Sequence, residues 1–416
     1  MSVTQAKDIR NVAVVGHGAS GKTSLLEAML FKAGATARMG SVDEGTSVAD
    51  YEPEEHEKKF TISAKLLPCQ WQGRAINAVD TPGYPDFISH AIGALNVVET
   101  AILTISATAG IQVNTRKLWS LSKDRGLARL IAVTKMDGEN IEFNRILESI
   151  KGELGPECLP LNLPVGSGHD LKGVVSLLDP PKEMPKGVLG DPKTLRDALI
   201  EAVVEVDDEL MQRYLEGKEV NVQEVQDCLT KAIAQGKVVP VLFVSSKKLV
   251  GIEELLKIVV DFIPNPMGVT RRGVDLEKNE EVTVKWQEEA PFSAQVFKCI
   301  TDPFVGKLVF FRVFSGVLDG DLSFYNTHTK KNEKAGHLLK VFGKEQHVIP
   351  RAIAGDIVAI AKIETIGISD TLCSPKKHIK FQPITFPTPM VSLAVVPKNQ
   401  GAEQKISVSL AKLAEE

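Results

Sequence analysis

The sequence predicts an α/β domain built on a parallel sheet and carrying an inserted α+β subdomain. An all-β barrel follows, and then a short α/β stretch. Three observations carry this reading. A glycine-rich loop, Gly16-His17-Gly18-Ala19-Ser20-Gly21-Lys22-Thr23, separates an apolar run from a stretch of helical spacing. Strand-like and helix-like runs then alternate to about residue 154, as they do where helices cover both faces of a sheet. From Ala290 to Cys373 the texture changes to short apolar runs between Gly and Asp turns, the pattern of a barrel or sandwich.

The elements follow in order. Asn11-Val12-Ala13-Val14-Val15 reads as a buried strand, and Ser24 to Leu30 as a helix. Ala75 to Val79 is a strand running into Asp80, and Phe87 to Val98 has helical periodicity. Ala101 to Ile105 and Leu130 to Thr134 are strands, with a helix over Thr115 to Lys123 between them. Over Ile141 to Leu154, residues Ile146, Leu147, Ile150 and Leu154 share one helical face. Seven prolines between Pro156 and Pro192 then break the pattern, and an acidic, helix-rich part runs from Thr194 to Gln235. The sheet resumes at Val238 to Val244 and closes with an amphipathic helix from Ile252 to Phe262. Residues of about 155–236 are therefore an insertion, and Pro264-Asn265-Pro266 ends the domain. The reading divides the chain into 1–265, a barrel domain over 266–380, and 381–416, the start of a third domain that is truncated. That last part offers a strand from Met390 to Val396 and a helix from Glu403, too little to bury a core.

Composition sets the outer bounds. The 416 residues are 43% hydrophobic and 25% charged, ordinary for a soluble globular protein. No apolar run approaches the length of a membrane span, and the first residues carry no signal-peptide core. Five scattered cysteines without metal spacing read as reduced thiols in a cytoplasmic protein with no membrane partner. A formal net charge of −4 argues against a protein that coats nucleic acid by bulk charge. The one basic run, His328 to Lys334, reads as a solvated turn.

The chemistry begins at the glycine loop, which fits G-x-x-x-x-G-K-[ST] without a mismatch. Backbone amides from His17, Gly18, Ala19, Ser20 and Gly21 through Ser24, with the positive end of the helix, point at phosphate oxygens. Lys22 neutralises the β- and γ-phosphates, and the Thr23 hydroxyl holds Mg²⁺. A second motif, Asp80-Thr81-Pro82-Gly83, lies at a strand end. There Asp80 can hold a magnesium-bound water, and the Gly83 N–H can bond a γ-phosphate and lose that bond on hydrolysis. A third, Thr134-Lys135-Met136-Asp137, ends another strand. Asp137 can accept both edge donors of guanine, which adenine does not offer, while the Lys135 stem lies over the base. Ser245-Ser246-Lys247, after the last strand, places backbone donors for guanine O6. GTP, GDP and Mg²⁺ are the ligands these motifs describe.

In this order the motifs resemble those of translational GTPases, and most of all elongation factor G. Leu161 to Gly166 and Lys172 to Leu177 are similar to that family's inserted subdomain. Glu289 to Ala294, Thr301 to Leu308, Arg312 to Gly316 and Ala354 to Ile357 are similar to its barrel domain, and Pro389 to Glu416 resembles the start of its third domain. The remaining domains of a full-length factor lie outside this sequence. The resemblance implies a P-loop GTPase whose first switch runs from about Met39 to Thr61, with Thr61 on Mg²⁺. It implies a monomer whose partner is the ribosome, RNA and protein, and GTP hydrolysis as a conformational switch that is slow without ribosomes.

Several residues depart from the family's pattern. Tyr84 follows Gly83 where the family has a histidine that orients the attacking water. A phenol is a poor base at neutral pH but can orient water by hydrogen bonding. Ala19 replaces an aspartate, and Lys59-Phe60 replaces Gly-Ile before Thr61. Thr134 stands where the family has an asparagine, which removes an amide that braces the base and the P-loop. These changes describe a divergent paralogue in which Lys22, Gly83 and Tyr84 carry catalysis. The alternative is a GTP-gated ribosome-binding module with little hydrolysis. An unrelated P-loop ATPase would bind ATP and GTP alike. Of the histidines, His17 contributes its backbone, His56 is solvated and His90 is a packing residue.

Overall fold

The computed structural model describes residues 5–218, 221–302, 306–389, 391–397, 401 and 403–415. The chain divides into two compact units, one of residues 8–265 with 342–344, the other of 1–7, 266–341 and 345–416.

The first unit is a seven-stranded sheet in the order β2-β3-β1-β4-β5-β9-β6. Its strands are β1 (Ile9–Gly16), β2 (Lys65–Trp71), β3 (Arg74–Asp80), β4 (Thr100–Ser106), β5 (Ala128–Thr134), β6 (Cys158–Pro160) and, beyond the hairpin described below, β9 (Val239–Phe243). Only β2 runs antiparallel to its neighbour. The central strands β1, β4 and β5 are buried along their whole length. That is why they read as continuous apolar runs and not as alternating ones. Helices α1 (Lys22–Lys32), α3 (Ile88–Leu95), α4 (Val113–Asp124), α5 (Phe143–Leu154) and α9 (Ile252–Asp261) belong to this unit, and a short α2 (Pro53–Lys58) lies between α1 and β2. On α5, Ile146, Leu147, Ile150 and Leu154 are the buried face, as their spacing requires.

The inserted part holds a hairpin, β7 (Asn162–Val165) with β8 (Gly173–Ser176), and three helices, α6 (Pro192–Val204), α7 (Asp208–Leu215) and α8 (Val222–Ala234). Its first strand, β6, pairs in parallel with β9 and so belongs to the main sheet.

The second unit centres on an eight-stranded sheet with antiparallel pairings such as Ser293–Asp302 with Gly306–Ser315. Val296, Val309, Phe311, Val313, Phe324 and Val358 fill its core. A small sheet pairs Thr270–Asp275 with both Glu280–Lys285 and Ile379–Phe381. The strand expected over Met390 to Val396 is not formed: Met390 lies outside the described residues, and 391–397 carry no ladder. Leu393 is 86% exposed, and alternation without a face to cover it does not hold a strand. The helix Glu403–Glu415 is present, with Leu410 and Leu413 exposed.

Candidate functional site

The glycine loop leaves β1 at Gly16 and re-enters helix at Lys22, so the α1 N-terminus opens onto it. Gly21 holds a left-handed φ of 87°, and Ala19 one of 58°. The alanine accepts that strain without the local hydrogen bonding that lets Asp visit this region. The Lys22 ammonium donates to the carbonyls of His17 at 2.8 Å and Gly16 at 3.2 Å. Burial pushes its pKa down, and Asp80 and Asp50 pull it back up.

β3 delivers Asp80 beside this helix. Thr81 Oγ1 donates to the Val14 carbonyl at 2.7 Å and ties the end of β3 to β1. Thr23 Oγ1 donates to Asp80 Oδ2 at 2.8 Å and lies 3.0 Å from Thr61 Oγ1. Asp50 joins them from the segment before α2. It is 3% exposed, and neither of its oxygens makes a well-formed hydrogen bond among the described residues. Burial pushes its pKa up to about 6, with a Thr61 hydroxyl contact pulling the other way and Glu55 adding to the rise. Burial and then Asp50 raise Asp80 as well. Two dry acids and two hydroxyls form the oxygen-rich donor set that a hard divalent cation such as Mg²⁺ takes. The residues fit that ion.

Gly83 packs against the loop from the other side. A Cβ there would lie 2.7 Å from the Gly18 nitrogen and collide with the Lys22 ammonium. Asn114 Nδ2 donates to the Gly83 carbonyl at 2.7 Å and holds it in place. The Tyr84 ring lies over Gly18, where a Cβ would come within 3.0 Å of Cζ. Its centroid is 4.5 Å from that of Phe60.

The stretches Thr134–Asp137 and Ser245–Lys247 converge at the ends of β5 and β9. Asp137 Oδ1 accepts from Ser245 Oγ at 2.6 Å, and Ser245 Oγ accepts from the Lys248 amide at 3.1 Å. Ser246 is buried, Lys247 is exposed, and Lys135 holds a left-handed φ of 60°. At position 134 the amide is absent, and a hydroxyl makes the tie to the glycine loop. Thr134 Oγ1 donates to the Ser20 carbonyl at 2.6 Å. Ser20 Oγ also meets Thr104 Oγ1 at 2.6 Å. His56 is exposed on α2, and His90 is half-buried on α3.

Sequence reasoning missed Asp50, Asn114 and two buried glutamates, Glu27 and Glu55. Asn114 and Glu27 bond groups far away in sequence that no local pattern marks, whereas Glu55 bonds Glu52, Ile62 and Ser63 nearby and closes a capping box with Glu52 at the start of α2.

A strand-loop-helix phosphate cradle, an acid at the next strand end and a carboxylate-serine pair at the base end define a GTP-binding P-loop protein. Residues 7–265 match the family described as the elongation factor Tu GTP binding domain, and residues 291–375 match elongation factor G domain 2. The chain belongs to the elongation factor Tu GTP-binding family, as a translational GTPase related to elongation factor G. It is also similar to a protein of Thermus thermophilus with a solved crystal structure, at 30% identity and a TM-score of 0.86. The match covers 99% of this chain and 61% of that one, so this chain spans less than two thirds of its relative's length.

Proposed function

We propose that this chain binds GTP and GDP with Mg²⁺ and hydrolyses GTP as a conformational switch on the ribosome. The observation that carries the reading is the meeting of Thr23, Thr61, Asp80 and Asp50 around one dry point beside Lys22. Those groups come from three separate stretches, and a metal-bound phosphate at the mouth of the loop would engage them all.

In this reading the loop amides and Lys22 bind the phosphates and stabilise charge on the transferring group. Thr23 and Thr61 would hold Mg²⁺ with Asp80 and Asp50 beside them, and the ion would neutralise phosphate charge. Asp137 accepts from the guanine edge, with Ser245 orienting the carboxylate, and Ser246 and Lys247 supply backbone at O6. Gly83 offers its N–H to the γ-phosphate, held by Asn114. Tyr84, over Gly18, places the attacking water through its hydroxyl, while Phe60 shields that point from bulk solvent. The domain limits at 265 and 380, a monomeric state and a cytoplasmic location belong to the same proposal. No helix among the described residues is long and apolar enough to cross a membrane.

The test is single-turnover GTP hydrolysis by the full-length protein with and without ribosomes. Acceleration by ribosomes that falls at least tenfold in Tyr84→Phe supports the reading. No acceleration in the wild type or in Tyr84→His contradicts the ribosomal switch.

A further inference from the structure

Residues 40–63 contain one helix of six residues, α2, and otherwise no regular structure. A segment of that kind ordinarily gives its amides to water. Here five of them, those of Gly40, Val48, Glu52, Ile62 and Ser63, go instead to two carboxylates that no solvent reaches. Glu27, 0% exposed, lies one helical turn beyond Thr23 on the same face of α1. Its Oε2 accepts from the Gly40 amide at 3.1 Å. Its Oε1 accepts from Ser47 Oγ and from the Val48 amide, each at 2.7 Å. Ser47 Oγ in turn accepts from the Ala49 and Asp50 amides at 3.1 and 3.3 Å. A chain of hydrogen bonds therefore runs from α1 to the backbone of Asp50. Position 40 has to be glycine, since a Cβ would stand 2.5 Å from Glu27 Oε2.

The far end of the segment is held from within, by an acid of its own α2 that is tied to β2 through Lys65. Glu55, 1% exposed, accepts from the Ile62 amide at 2.9 Å and the Ser63 amide at 3.3 Å, the two residues after Thr61. It also accepts from the Glu52 amide at 3.2 Å and pairs with the buried Lys65 ammonium at 3.2 Å. Lys65 reaches Ser63 Oγ at 2.8 Å and lies 4.0 Å over the Tyr51 ring.

We propose that Glu27 and Glu55 form a two-point latch that sets the closed position of residues 40–63, and that Glu27 is the positioning residue linking the phosphate-binding helix to that segment. The inference rests on the GTP reading above and names how that site is regulated. Its physics is cooperative. A buried carboxylate is tolerated only while its donors are in place, and removing one strands the charge. Partial release is therefore costly, and the segment is either docked, with Glu27 holding its first half and the Glu55–Lys65 pair tying α2 to β2, or free of both ties. Such an element has two arrangements, and ligands bias it according to their contacts in each. GTP, through Thr61 and the third phosphate, favours the docked one. GDP makes no such demand.

The test uses the full chain with fluorescent GDP and a non-hydrolysable GTP analogue in Mg²⁺, comparing wild type with Glu27→Gln and Ser47→Ala. Glu27→Gln places an amide against a donor. Ser47→Ala removes a donor from the segment side and leaves α1 intact, which covers the case of a misfolded Glu27 variant. Ser47→Thr keeps the hydroxyl and restores wild-type behaviour. The latch predicts about tenfold weaker binding of the GTP analogue and GDP affinity within about twofold of wild type. It also predicts faster tryptic cleavage at Arg38, Lys58 and Lys59 in the analogue-bound state. Wild type that binds both nucleotides, with variants of unchanged affinity ratio and unchanged cleavage, overturns the latch alone. Wild type that binds neither nucleotide overturns the GTP reading and the latch with it.

Discussion

At Asp50 the local chemistry is one-sided. The carboxylate is dry, its oxygens lack well-formed hydrogen bonds among the described residues, and Glu55 and Glu27 raise its pKa further. With a folded pKa of about 6 against an ordinary 3.8, the folded protein holds this proton more tightly than the unfolded chain. Stability from this group is therefore fully present below 3.8 and is lost as pH rises through 6. Without metal, Asp50→Asn should raise stability at neutral pH by up to about 3 kcal/mol. The gain should shrink below pH 6 and vanish below pH 3.8. Urea unfolding in EDTA across that range reads it directly. Asp137 makes the second residue-scale prediction. Asp137→Asn turns an acceptor into a donor, so preference should move from GTP to XTP, with GTP affinity down at least a hundredfold by competition titration. Unchanged GTP affinity would mean that Asp137 does not touch the base.

At the scale of elements, the stretch before Thr61 turns on Lys59. It closes α2 in the left-handed region at φ 60°, a conformation that costs a side chain roughly 1 kcal/mol. Lys59→Gly should raise the stability of residues 8–265 by about that amount, as measured by denaturant midpoint. The Thr134 hydroxyl makes the opposite prediction. Thr134→Ala leaves the Ser20 carbonyl without its donor and should cost about 1 kcal/mol and weaken nucleotide binding severalfold, while Thr134→Asn keeps it. These elements also show how much was legible beforehand. β1, β4 and β5 were readable because parallel strands covered on both faces are apolar throughout. β2 was not, because Lys65, Pro68 and Gln70 break its pattern, and an edge strand pairs on one side only. The strand over residues 391–396 was read from alternation alone, and its apolar side chains stand exposed. The motifs located Lys22, Asp80 and Asp137. Glu27 and Asn114 stayed hidden because their main-chain partners are remote in sequence and only the fold brings them there; Glu55 bonds close neighbours, and its capping box with Glu52 was a local mark left unread.

At the scale of the whole molecule, one unit carries every group assigned to the nucleotide and the other carries the barrel. Ligand that binds only the folded first unit should stabilise it by mass action, by about 2.7 kcal/mol at a hundredfold excess over Kd. Hydrogen exchange should slow most at residues 16–24, 40–63, 80–84, 134–137 and 245–247. The central claim is that the site takes a guanine nucleotide and not any nucleotide, and the most direct measurement is displacement of fluorescent GDP from the full chain in Mg²⁺ by GTP and by ATP. The account predicts that GTP competes at stoichiometric to low excess while ATP fails at a hundredfold higher concentration. Equal displacement by the two would contradict it.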